Sequence, residues 1–245
     1  MSNSRMAQPR PRPQSRRADP LILTGLLVLG VIPVLAGGLR LAKLIHHAGA
    51  SPNDARFLAD PTPAAIHIVA VSLFAVLGAF QLAPGFRRRN PRWHRAAGRV
   101  LIPCAIATAL TGLWMTAFYP QLPTDSAALQ GLRVAVGVGI LTAVGLAVAA
   151  LRRRDFPVHG AWMIRAYALA QGAGTQVLTF LPWFIIARAE PGPAPRAALM
   201  ALAWILNIAV AEWVIRRGQG SLRPLTAAAC SDGPDGPLRR EGPGG

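Results

Sequence analysis

Acidic residues are scarce in this chain. There are 10 Asp and Glu against 26 Lys and Arg in 245 residues, for a formal net charge of +16. No carboxylates are paired for acid–base hydrolysis, and no Ser-His-Asp set or Gly-rich phosphate loop is present. Hydrolase and nucleotide chemistry therefore have no support. Cysteine is nearly absent. Cys104 lies in an apolar segment and Cys230 in a polar one, so neither a disulfide nor a thiolate metal site is expected. Charge is sparse between the basic clusters. The arginines sit at the ends of apolar segments and form no continuous face, which excludes nucleic acid as a partner.

What is present is apolar sequence, 52% of the chain. Roughly 20 apolar residues cross the hydrocarbon core of a bilayer. Six such runs predict an all-α integral membrane protein with spans at 20–44, 64–85, 97–118, 129–151, 160–187 and 197–215. Pro33 is expected to kink the first span and Gly37-Gly38 to loosen its far end. Residues 48–63 read as a polar loop. The membrane domain, 19–217, lies between a basic segment (1–18) and a Gly/Pro-rich segment (218–245), both of which read as disordered tails. The first run lacks a clear signal-peptidase site and is expected to be retained. Basic residues concentrate in the two tails and in two corners between spans. The positive-inside rule then places both termini and both corners in the cytoplasm, in a cytoplasmic membrane.

The corners share a register. Arg87-Arg88-Arg89-Asn90-Pro91 leads to His94, and Arg152-Arg153-Arg154-Asp155-Phe156-Pro157 leads to His159. The 65-residue shift that aligns them maps spans two and three onto four and five. This predicts a tandem parallel repeat forming a four-helix core, flanked by spans one and six. Positive-inside pressure explains the arginines but not the matched Asn90/Asp155 and His94/His159. His67 breaks the match, because Leu132 occupies its shifted position.

Asn90 and Asp155 are good N-caps, with a proline in the first turn after each. His94 and His159 then fall near electropositive helix starts. That setting keeps imidazole neutral and attracts anions, with Arg95, Arg99 and Arg165 close in sequence. Neutral imidazole beside arginines suits a b-type haem, with His94 and His159 on the iron and Arg99 and Arg165 on the propionates. Small residues following each histidine leave room for a flat ring, or equally for close helix packing. Gln81 is a candidate contact for a ligand or quinone, or a cap for span two. His67, inside the second span, is a candidate ligand because intramembrane ionisable residues tend to face the bundle or a cavity. His46 and His47 read as interfacial. Glu212 could pair with Arg216 one turn on, or across the bundle with Arg165 or Arg99. Asn207 reads as a link between helices. Trp93, Trp162, Trp183 and Trp213 fall near span ends, as in an aromatic belt.

His67, Gly78 and Gln81, with His94-Arg95-Ala96-Ala97-Gly98-Arg99 and His159-Gly160-Ala161-Trp162-Met163-Ile164-Arg165-Ala166-Tyr167, resemble the bacterial predicted membrane proteins of domain-of-unknown-function family 2306, over about residues 60–215. That resemblance implies a multi-span membrane protein and no established activity. The layout is also similar in outline to the cytochrome b561 type, but span four carries no histidine, so at most one haem is expected. Three readings stand: an electron-transfer protein with one haem at the cytoplasmic layer and a redox partner or quinone; a metal-free binding or transport protein for a small anionic or quinone-like molecule; and a structural membrane subunit. Oligomeric state and pathway are not legible.

Overall fold

The computed structural model describes residues 18–46 and 52–220, and these are helical almost throughout. The helices are α1 (Ala18–Ile45), α2 (Pro52–Ala59), α3 (Pro61–Leu82), α4 (Pro84–Arg89), α5 (Pro91–Phe118), α6 (Ala127–Arg152), α7 (Phe156–Ala170), α8 (Gly172–Ala187) and α9 (Pro193–Gly220). Five are long and apolar enough to cross a membrane, and α7 with α8 makes a sixth span bent by 44°. Large apolar side chains such as Leu35, Leu39, Ile205 and Val210 face outward, as lipid-facing positions require. The all-α, six-span expectation holds. The tails expected at 1–18 and 218–245 lie outside the described residues, except that α1 begins at Ala18 and α9 runs on to Gly220. His47 also lies outside them.

The helix ends follow local chemistry. Ser126 caps α6 by accepting from the Leu129 N–H (3.2 Å), and Asp155 caps α7 by accepting from the Val158 N–H (3.2 Å). Asn90 stands at the start of α5 but does not cap it through its side chain. It donates instead to the Phe86 carbonyl at 3.2 Å, closing α4 behind it. Pro84 stops α3, because a residue before proline is held extended and proline has no N–H to continue the ladder. Ala83 accordingly has φ −80° and ψ 104°. The two corners therefore differ. The first contains α4, and the second is a tight reversal through Arg154 at φ 61°.

Two further expectations change. The polar loop at 48–63 contains the helix α2, whose Asp54 pairs with Arg40 and, at 3.3 Å, with Lys43 of α1. α1 also runs through Pro33 and Gly37-Gly38 as one helix. A Cβ on Gly37 would lie 3.1 Å from Ile68, so this glycine serves close packing on α3.

The strongest pairings are the hairpins α3–α5 and α6–α7. α5 packs on α6, and α7 closes the square against α3, leaving α5 and α7 diagonal. Phe74, Leu101, Ala105, Val144, Ala166 and Tyr167 are the buried core of this square. α1 lies on α3 and α8, and α9 lies on α7 and α8. The square fills only the corner-side half of the bundle. At Gln171 the fifth span turns outward, and α8 leaves α3 and α6 to lie between α1 and α9.

Glycine makes that departure fit. A Cβ on Gly172 would collide with the Trp204 indole, and one on Gly174 would lie 2.5 Å from the Leu29 carbonyl oxygen. The broken span's polar groups are met by α9. Trp204 donates to the Leu169 carbonyl (3.1 Å) and Asn207 to that of Ala168 (3.0 Å), while Asn207 accepts from Thr175 (2.7 Å). Asn207 links helices, as expected. A Gly172→Val substitution should lower stability by about 1–3 kcal/mol through overpacking against Trp204. Gly145→Ala, with nothing near the added methyl, should change it by less than about 1 kcal/mol. Thermal unfolding of the two variants in one lipid or detergent checks the contrast.

Candidate functional site

Each histidine of the corner pair is engaged by a neighbouring helix. α5 starts at Pro91 and α7 at Phe156, so His94 and His159 occupy the first turns. Gln81, at the end of α3, meets His94 twice. Its Oε1 contacts the imidazole Nδ1, and its Nε2 donates to the His94 carbonyl at 3.0 Å. His159 Nδ1 donates to the Ala147 carbonyl of α6 at 2.9 Å. These bonds fasten the start of each helix to the end of its predecessor. The two imidazoles are half-buried and within electrostatic reach of each other.

The other expected residues are dispersed. Arg165 makes a two-point pair with Glu212 of α9 (2.6 and 3.1 Å), and its guanidinium lies 4.4 Å from the Trp162 ring centroid. Glu212 thus pairs across the bundle and anchors the sixth span. Arg99 is exposed on α5. His67 lies 14 positions before Gln81 on α3, which is about 21 Å along the helix. Tyr167 is a strut. Its hydroxyl donates to the Ala75 carbonyl (2.9 Å), and its ring rests on Gly78, where a Cβ would lie 2.5 Å from the ring edge.

A haem between His94 and His159 does not fit this arrangement. A ring needs a slot running into the bundle beside the two imidazoles. The residues there are Leu101 and Ala105 of α5, Val144 and Ala147 of α6 and Ala166 of α7, all at 2% exposure or less. Walls so closed leave no void of ring size between them. One expected propionate partner, Arg165, is spent on Glu212, and the other, Arg99, is exposed. Of the small residues following the two histidines, Ala105 and Ala166 serve close packing. Among the described residues no group of three or more His, Cys, Asp and Glu could hold a metal ion either.

The open space lies in the other half. Where α8 departs, a cavity of about 450 Å³ remains among α1, α3, α5, α6, α8 and α9. It runs from Ala109, Ile140 and Ala170 at mid-bundle to Arg56, Tyr119, Arg133 and the exposed Gln121 at the far rim. Its walls are mainly apolar, including Val71, Met115, Val136 and Trp204, with His67, Ser72, Thr108, Gln171 and Gln176 set among them. That size and mixture match small-molecule sites in general. A discontinuous helix lining a cavity near mid-membrane is a recurrent feature of transport proteins.

The rim is charged. Asp125, its side chain 1% exposed, bonds Arg133 at 3.1 Å and faces Arg56 at 3.7 Å. Two guanidiniums thus face one buried carboxylate, with the Asp60 carboxylate close to Tyr119. Burial works to raise the Asp125 pKa. The Arg133 bond and charge, the Leu122 N–H and Arg56 outweigh it, so Asp125 stays below its ordinary value and ionised at neutral pH. Arg56 is held below the ordinary arginine value, first by burial and then by Arg133 and Arg40, with Asp125 opposing. Its Nε is buried without a partner. The Arg40 and Arg56 guanidiniums lie 4.6 and 4.8 Å from the Phe57 ring centroid, placing Arg40 beside the same rim. Burial and then the Asp60 charge raise the Tyr119 pKa, so its phenol stays protonated.

The matching family model covers residues 64–215, from the second span to the sixth. The chain belongs to the predicted membrane protein family DUF2306. No curated protein and no solved structure matches it. The family's membrane assignment agrees with the spans described above, and no match supports the cytochrome b561 likeness.

His67 is the one expected site residue that lines the cavity. Arg56, Arg133 and Thr108 were not expected as site residues. Arg133 could have been found, since a lone cation within the apolar run 129–151 carries the same signal as His67. Arg56 sits in a segment that reads as loop and gives no such sign. Protein purified after expression with ample haem should show no Soret band. A band that disappears in His94→Ala or His159→Ala would contradict this packing.

Proposed function

We propose that this protein binds, and by binding transports or presents, a small amphipathic anion in the cavity beside α8. One observation carries the reading. An apolar chamber large enough for such a molecule is lined at one end by the Arg56 and Arg133 guanidiniums, which share the Asp125 carboxylate. The apolar part of the ligand would fill the space among Ile68, Val71, Met115, Val136 and Ile140. Its anionic group would meet the Arg133 and Arg56 guanidiniums, whose planar donors suit carboxylate and phosphate.

In this reading the chain sits in the cytoplasmic membrane with the arginine corners inside, as the distribution of basic residues suggests, and the cavity faces outward. The corner layer then acts as a closed floor. The haem reading is not carried forward here, because the side chains below His94 and His159 are closely packed.

Protein in phosphatidylcholine nanodiscs should bind labelled dodecanoate saturably. Arg133→Gln should weaken that binding about tenfold, the value of one charge-assisted hydrogen bond at the low end of its range. Binding of uncharged dodecanol should change by less than about twofold. Equal losses for the two ligands, or no saturable binding in the native protein, would overturn the reading.

A further inference from the structure

The closed end of the cavity carries its own polar chemistry, at His67 and Thr108. Three threonines lie along α5. Thr111 donates back to the Ala107 carbonyl at 2.6 Å and Thr116 to that of Gly112 at 2.8 Å, the usual way a helical threonine satisfies its hydroxyl. Thr108 makes no such bond. Its residue is 4% exposed, and its Oγ1 is buried with no partner. An orphaned hydroxyl at a cavity wall calls for an explanation that the chain itself does not supply.

His67 is fixed by the next threonine. Its Nδ1 lies 3.0 Å from Thr111 Oγ1. Thr111 has one hydroxyl proton, and that proton goes to Ala107. The shorter carbonyl contact of Thr111 is to Ala107, with Thr108 at 3.3 Å, and in that arrangement Thr111 accepts from His67 and Nδ1 carries the ring proton. The neutral ring keeps Nε2 as a bare acceptor. The ring lines the cavity. An acceptor on α3 and an unsatisfied hydroxyl on α5 thus share the cavity's inner end. A ligand hydroxyl bound there would donate to His67 Nε2 and accept from Thr108. A quinone head carries only carbonyl acceptors and lacks the proton that Nε2 takes, whereas a quinol or aliphatic alcohol has it.

Thr108 lies 11 positions before the rim residue Tyr119, about 16 Å along the helix axis, and Thr111, which holds His67, lies eight positions before it, about 12 Å. We infer that the ligand is bipolar: an anionic group at the Arg56–Arg133 rim, an apolar middle, and a hydroxyl at the inner end bonded to His67 and Thr108. This rests on the cavity being the binding site, and the test separates the two claims.

The probes are dodecanoate and ω-hydroxydodecanoate, whose chain is long enough to bridge the two ends. Binding is measured in phosphatidylcholine nanodiscs for the native protein, His67→Phe and Thr108→Val. Comparing variant with native protein for each ligand cancels the difference in partition into lipid. Either variant should weaken ω-hydroxydodecanoate about tenfold, consistent with loss of one or two buried hydrogen bonds, and leave dodecanoate within about twofold. Thr108→Val removes only the hydroxyl from a nearly isosteric side chain, so the test does not depend on His67→Phe folding. If both variants leave the two probes equally affected or unaffected, the hydroxyl subsite is wrong and the cavity reading stands. If the native protein binds neither probe, the cavity reading falls and takes this inference with it.

Discussion

The break in the fifth span at Gln171 decides the rest of the structure. An unbroken helix there would continue the square of α3, α5, α6 and α7 to the far side and fill the bundle. Gly172 and Gly174 instead allow α8 to press against Trp204 and the α1 backbone, and Trp204 and Asn207 bond the carbonyls at the break. The 44° turn leaves one half of the bundle packed and the other half hollow. In a membrane such irregular backbone is tolerated where protein or a cavity surrounds it, and here both conditions hold.

The corner half acquires a different meaning from that division. His94, Gln81, His159, Arg165, Glu212 and Tyr167 are all engaged, each joining one helix to another. Together they join the helices at the floor of the chamber. The rim is also held in place, since Asp125 ties Arg133 of α6 to Arg56 of α2.

Much of the fold was legible in the sequence because a bilayer imposes one simple rule, and apolar length obeys it. The spans, the matched corners and the cap at Asp155 could all be read from it. The Arg165–Glu212 pair was legible as one of two alternatives. The break was not, because Gln171-Gly172-Ala173-Gly174 resembles the small-residue composition of ordinary close packing. Its consequence depends on Trp204 and Leu29, far away in the chain. The histidine register pointed to a site for a related reason. A shared register reports a shared structural task as readily as a shared ligand, and here the task is fastening each helix start to the preceding helix. His67 gave the better signal because it has no counterpart in the repeat.

Cysteine accessibility measures the division between a hollow and a packed half most directly. Cys104 and Cys230 are first replaced by alanine, and single cysteines are then placed at Ser72 and Ala173 in the chamber wall and at Ala105 and Ala147 in the packed square. In nanodiscs open to both sides, a small water-soluble maleimide should label the first pair readily and the second pair barely at all. Equal labelling of all four positions, or labelling confined to Ala105 and Ala147, would contradict the account.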